Sequence, residues 1–200
     1  MLTHAKQFYR GETALQQLDG LAPLALRLIL APVMIQAGWT KLVGFDNTVA
    51  WFEHSLGMPL PELMAALAAG IELVGGVLLL LGLGVRVVAV PLMFVMLVAA
   101  FAVHWENGWL ALSDASSWLA NDRILEAAEK KQRIIAILKE HGNYRWLTSN
   151  GPVTILNNGI EFAITYFVML LSLFFTGGGR YVSLDDWLIR LTEQRAHEHL

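Results

Sequence analysis

Leu21–Phe45, LAPLALRLILAPVMIQAGWTKLVGF, is long and apolar enough to cross a bilayer as a helix, yet it carries Arg27, Gln36 and Lys41. At helical spacing Arg27, Ala31, Met34, Gly38 and Lys41 fall on one stripe. A charge near mid-membrane costs at least ~2.5–3.5 kcal/mol, so this stripe is expected to face protein or a hydrated cavity rather than lipid. Pro32 removes a backbone donor near the middle of the run and predicts a kink. The stretch is therefore a membrane helix with a polar seam, and the other spans must supply what the seam faces.

The rest of the chain supports a membrane reading. Its 200 residues are 56% hydrophobic and 16% charged, with a mean hydropathy of +0.51, which is too apolar for an ordinary soluble domain. The net charge of -3 gives no footprint for a nucleic-acid partner. The chain has no cysteine, which excludes disulfides, thiolate zinc sites, Fe–S clusters and covalently attached haem within it. The first twenty residues are polar and no small-residue cleavage site follows, so Leu21–Phe45 is expected to stay in the mature chain. Those first residues predict a short surface helix with Phe8, Leu15 and Leu18 as its apolar contacts.

Three more apolar runs follow, at about 61–83, 85–103 and 153–175. The second, PELMAALAAGIELVGGVLLLLGL, carries Glu72 near its middle. Ala65, Ala68, Ala69, Gly75 and Gly76 surround that acid on the small-residue side, where membrane helices approach closely. The short GLGVR break predicts an antiparallel hairpin into the third run. Residues 104–152 form one long hydrophilic insertion. Within it Ile124, Ala128, Ile135 and Leu138 make an amphipathic stripe, with Asn121 as the expected cap. Trp105, Trp109, Trp118 and Trp146 place this insertion at headgroup level. In the tail, Leu184, Trp187, Leu188 and Leu191 predict an interfacial helix over 183–195, capped by Ser183. The expected fold is all-α. It is a single integral membrane domain over 1–200, a four-helix transmembrane bundle with interfacial helices in the insertion and tail.

If the spans alternate in direction, depth can be compared. Arg27 and Arg86 then lie towards the terminus side, Glu72 near the midplane, and Gln36, Lys41, His104 and Glu161 towards the insertion side. Two pairings follow as expectations: Arg27 with Glu72, and Lys41 or His104 with Glu161. Such residues either fix helix packing or line a pocket for a headgroup or a proton path. Trp39, Trp51 and Trp105 suit stacking on a quinone ring or interfacial anchoring. Met93, Met96, His54 and Met58 are soft-metal donors, but methionine in a membrane helix more often fills gaps, so no metal site is expected. His197 and His199 read as a solvated tail. No nucleotide loop, metalloprotease motif or hydrolase elbow occurs, and no paired broken helices suggest a transporter.

Arg27 followed by Gly38-Trp39-Thr40-Lys41-Leu42 resembles the opening of the DoxX family of small four-span membrane proteins. Glu72-Leu73-Val74-Gly75-Gly76 and Leu81-Gly82-Leu83-Gly84-Val85-Arg86 are similar to its second-span signature, and Gly177-Gly178-Gly179-Arg180-Tyr181-Val182-Ser183-Leu184-Asp185 to its Gly-rich tail. The long insertion resembles the subgroup linked to maturation of copper-binding modified peptides, the HvfX-like proteins. The resemblance implies a membrane component of redox or stress-linked systems and no established catalytic residue. Haem ligation is not expected, because no histidine sits centrally in a span.

Three functions stay open at this point. One is a non-catalytic, redox-associated subunit that binds quinone between helices. Another is a partner in handling copper-binding peptides, with residues 104–152 docking a protein. The third is a scaffold, a small exporter or a lipid-handling protein. Lipid is the surrounding partner in each. Lys and Arg close to the spans favour both termini on the cytoplasmic side of a bacterial inner membrane.

Overall fold

The computed structural model describes residues 18–198. Among these the chain is built from α1 (Leu21–Val43), α2 (Phe45–His54), α3 (Pro61–Leu81), α4 (Val85–Val98), α5 (Asp122–His141), α6 (Tyr144–Leu147), α7 (Glu161–Thr176) and α8 (Leu184–Glu198). The all-α expectation holds. An isolated antiparallel bridge joins Leu112 to Leu156. The helix expected within residues 1–20 lies outside the described residues apart from a turn at 18–20.

Leu21–Val43, Pro61–Leu81 and Val85–Asn107 are long and apolar enough to cross a membrane. They expose Leu28, Ile29, Leu67, Val74, Val87, Val90 and Phe94, side chains suited to lipid contact. The third of these is α4 extended by a π-helical segment, Ala99–His104, and a final 3-10 turn, Trp105–Asn107. The fourth apolar helix is shorter than the sequence suggested. It begins at Glu161 rather than Val153, and its 16 residues reach only about 24 Å against a hydrocarbon core of about 30 Å.

Residues ahead of α7 are held by a loop instead. The N–H groups of Asn157 and Asn158 donate to the Ala111 carbonyl, and those of Gly159, Ile160 and Glu161 to Leu110, Gly108 and Trp109. Every backbone donor from 157 to 161 thus finds a carbonyl, as a non-helical entry to an apolar helix requires. Hydropathy could not reveal this, because VTIL is as apolar as a helix start.

Packing separates two compact units, Met1–Val95 with Tyr166–Leu200, and Met96–Thr165. In the first, α1 and α3 touch backbone to backbone. A Cβ on Gly38 would stand 2.5 Å from the Leu73 nitrogen and 2.7 Å from the Ala69 oxygen. One on Gly76 would stand 2.8 Å from the Ile35 nitrogen and 3.0 Å from the Ala31 oxygen. Position 38 meets 69–73 while 31–35 meets 76, so the two helices run antiparallel. Ala31, Ala65 and Ala69 are fully buried in this seam. Small side chains permit that approach, and dispersion and hydrogen bonding hold it where lipid offers no hydrophobic drive.

In the second unit α5 follows its predicted pattern. Asn121 caps it, its Oδ1 accepting from the Ile124 N–H at 3.1 Å, and Ile124 is fully buried. Trp118 and Trp146 are strongly exposed. Ser183, expected to cap the tail helix with its side chain, donates its hydroxyl to the Gly82 carbonyl at 3.0 Å.

Candidate functional site

The two cations of the first span have separate fates. The Arg27 guanidinium, 1% exposed, bonds to no carboxylate among the described residues. Its Nε donates to the Leu79 carbonyl at 2.7 Å, and Nη2 to Leu80 at 3.0 Å and Val182 at 2.8 Å. Nη1 donates to Gly178 at 2.8 Å and to Tyr181 at 3.5 Å. Leu79 and Leu80 belong to the last turn of α3, where carbonyls run short of helical donors and the dipole favours a cation; the Leu79 carbonyl also takes the Gly82 N–H at 3.1 Å. The expected Arg27–Glu72 pair is therefore corrected. A planar fork of donors at a helix C-terminus is drawn to carbonyls within reach.

Around that guanidinium the tail and the α3–α4 turn are tied together. Asp185 accepts from the Gly84 N–H at 2.7 Å and the Val85 N–H at 3.1 Å, capping α4. Its own N–H donates to the Gly82 carbonyl at 3.0 Å. Gly82 has φ +66°, and a Cβ there would stand 2.5 Å from Arg27 Nη2, so both conformation and space demand glycine. Val182, a β-branched residue, is held at φ 46° with its carbonyl on Arg27. Sequence reasoning missed the carbonyl cradle. The signal available was the gathering of glycines at 82, 84 and 177–179.

Lys41 sits at the other end of the helix. Its Nζ donates to Glu72 Oε2 at 2.5 Å, with Lys41 25% exposed and Glu72 5%. The pair replaces the expected partnership of Lys41 with Glu161. It arises because the α1–α3 contact at Gly38 brings residue 72 within reach of a lysine side chain one turn further on. Gln36 is exposed on the outer side of α1 and bonds to nothing among the described residues. Arg86 is exposed too, its Nη2 donating to the Phe175 carbonyl at 3.3 Å.

The remaining candidates belong to the second unit. His104 Nδ1 lies 2.9 Å from the Asn158 carbonyl, which can only accept, so that nitrogen carries the proton. Glu161 accepts from the Ala111 N–H at 2.9 Å. His104 and Glu161 thus take backbone partners instead of forming the expected ion pair. Asn157, a polar residue of the expected fourth span that was not among the site candidates, is the buried centre here. Its Nδ2 donates to Asn107 at 2.8 Å and Leu110 at 2.6 Å, and its Oδ1 accepts from Arg123 at 3.2 Å.

Residues 22–105 match the DoxX family model. This stretch is a DoxX-family domain. It contains Arg27, Lys41, Glu72, Arg86 and His104, while Glu161 and the Gly-rich tail that completes the Arg27 cradle lie beyond it. The chain is 36% identical over 92 residues to "Inner membrane protein YphA" of Escherichia coli (strain K12), covering 46% of this chain and 64% of that one. It is 40% identical over 70 residues to "Putative oxidoreductase CatD" of Bacillus subtilis (strain 168), covering 35% of this chain and 50% of that one. The chain thus spans between half and two thirds of the length of these two relatives. No solved structure matches. The three long apolar helices and the DoxX match over residues 22–105 together support an integral membrane protein.

Proposed function

We propose that this DoxX-family protein is a redox-associated accessory subunit of the bacterial cytoplasmic membrane. In this reading the Lys41–Glu72 pair hydrogen-bonds a quinone carbonyl and relays its protons, while a partner protein handles the electrons. The observation that carries the reading is the unequal burial of the pair: the carboxylate is enclosed, but the ammonium keeps an open side. After bonding Glu72, a lysine ammonium retains two further donors for an incoming carbonyl oxygen. Arg27 offers no such freedom, since all three nitrogens are committed to carbonyls. The name of the Bacillus relative supports a redox association, and that of the Escherichia relative an inner-membrane location.

Quinone extracted from gently purified protein and quantified by mass spectrometry tests the site. Glu72→Gln and Lys41→Met should each lose most of the bound quinone while staying folded. Wild-type occupancy in both variants would refute this site.

A second reading rests on the insertion. Trp118, Trp146, Ile134 and Ile137 are all exposed on residues 104–152, which favours a docking surface for a protein partner. The HvfX-like resemblance suggests a partner in the handling of copper-binding modified peptides. A photo-crosslinker at position 118 should capture protein; labelling of lipid alone would sink this reading. The same reading puts both termini on the cytoplasmic side, in line with the Lys and Arg near the spans, so a cysteine at position 130 should react with reagent from the opposite face.

A further inference from the structure

The Gly-rich turn and the tail helix enclose more than the Arg27 cradle. An open cavity of about 540 Å³ lies where α4 begins and α7 ends. Its lining includes Arg86, Thr176, Asp185 and Asp186, with Val87, Leu188 and Ile189 as an apolar wall. A volume of this size suits a small amphiphile. The cavity is distinct from the Lys41–Glu72 pair, neither residue of which lines it.

The charges in this cavity are mixed, and that narrows the ligand. Arg86 reaches in over Gly177, where a Cβ would stand 3.2 Å from its Nε. Its guanidinium holds one long bond to Phe175, and among the described residues its other donors stay open. Asp185 is occupied by the backbone of Gly84 and Val85, so the start of α4 cannot take an anion there. Asp186 has one oxygen on Arg190 at 2.7 Å, a half-exposed helical pair, and its other oxygen remains for a second donor. A simple anion would meet two carboxylates and a simple cation would meet Arg86. A zwitterion satisfies both signs.

We propose that this cavity binds the headgroup of a zwitterionic aminophospholipid, with the phosphate on Arg86, the primary ammonium on Asp186, and the upper acyl chains on Val87, Leu188 and Ile189. A primary ammonium donates hydrogen bonds to a carboxylate and a quaternary one cannot, so ethanolamine is preferred over choline. The cavity's place at helix ends, with Val87 76% exposed on the apolar side, suits a lipid more than a soluble phosphoester.

The test uses the intact chain in bilayers of equal phosphatidylethanolamine, phosphatidylglycerol and phosphatidylcholine, with retained lipid read by native mass spectrometry. Phosphatidylethanolamine should be retained several-fold over the other two. Arg86→Gln should lower retention of ethanolamine and glycerol lipids alike, and Asp186→Asn should erase the preference between them. Val87→Trp, which fills the cavity without touching a charge, should lower all three. Glycerophosphoethanolamine, which lacks acyl chains, should not displace the lipid at equal concentration. Equal retention of the three lipids, indifference to both Arg86→Gln and Val87→Trp, or displacement by the chainless headgroup would each overturn the proposal.

Discussion

Arg27 and Lys41 lie on one stripe of one helix, yet they differ in nearly every respect that matters. Arg27 is buried among carbonyls from three segments and has no acid beside it at bonding distance. Lys41 bonds a carboxylate and stays a quarter exposed. The first arrangement binds loops and helix ends into one shape. The second leaves a donor reachable next to a buried proton acceptor. A charge inside a membrane protein is thus not a site by position alone; its spare bonding capacity decides.

The largest expected effect is on the Arg27 side. Arg27→Ala leaves the carbonyls of Leu79, Leu80, Gly178 and Val182 without that donor and should cost several kcal/mol, by comparison with ~1–3 kcal/mol for one unsatisfied buried group. Loss of folded protein in detergent, followed by size-exclusion yield and helical circular dichroism, checks this. Arg27→Lys should rescue little, since a point charge cannot span five acceptors. A fully stable Arg27→Ala would break the contrast between the two cations.

Next comes the helix seam. Gly38→Val forces a side chain onto the backbone of Leu73 and Ala69 and should destabilise by at least the ~1–3 kcal/mol typical of overpacking. It should also part Lys41 from Glu72, so quinone loss should accompany the fall in thermal midpoint. Asn157→Leu probes the other unit. It removes three hydrogen bonds, taking one donor each from the Asn107 and Leu110 carbonyls and the acceptor from Arg123, an expected ~1–3 kcal/mol in thermal unfolding, with no effect on quinone.

The smallest effect lies on the surface. Ser116 holds the Asp114 carboxyl below its ordinary range, by its hydroxyl first and its N–H second. That contribution is present above the unfolded pKa and fades as pH falls through the lower folded one. Ser116→Ala should raise the Asp114 titration seen by NMR and leave the rest of the protein unchanged.

Much of this was legible in the chain itself. Hydropathy located three of the apolar helices, and the small residues around Glu72 marked the packed face that Gly38 and Gly76 confirm. Asn121 announced its cap. The partners were harder. Depth matching set Arg27 against Glu72, because charge attracts charge and a backbone carbonyl leaves no trace in composition. The cradle closes over a sequence separation of about 150 residues, which no local pattern encodes. The start of the fourth helix failed for a related reason: Asn157 and the 108–111 loop hold an apolar stretch extended through bonds invisible to hydropathy.

One measurement tests the division of labour most directly: quinone bound per folded molecule, compared between Lys41→Met and Arg27→Lys in the same membrane preparation. Lys41→Met should keep its folded yield and lose its quinone, while the folded fraction of Arg27→Lys shrinks but carries quinone at the wild-type ratio. Quinone that followed Arg27 and ignored Lys41 would contradict the account.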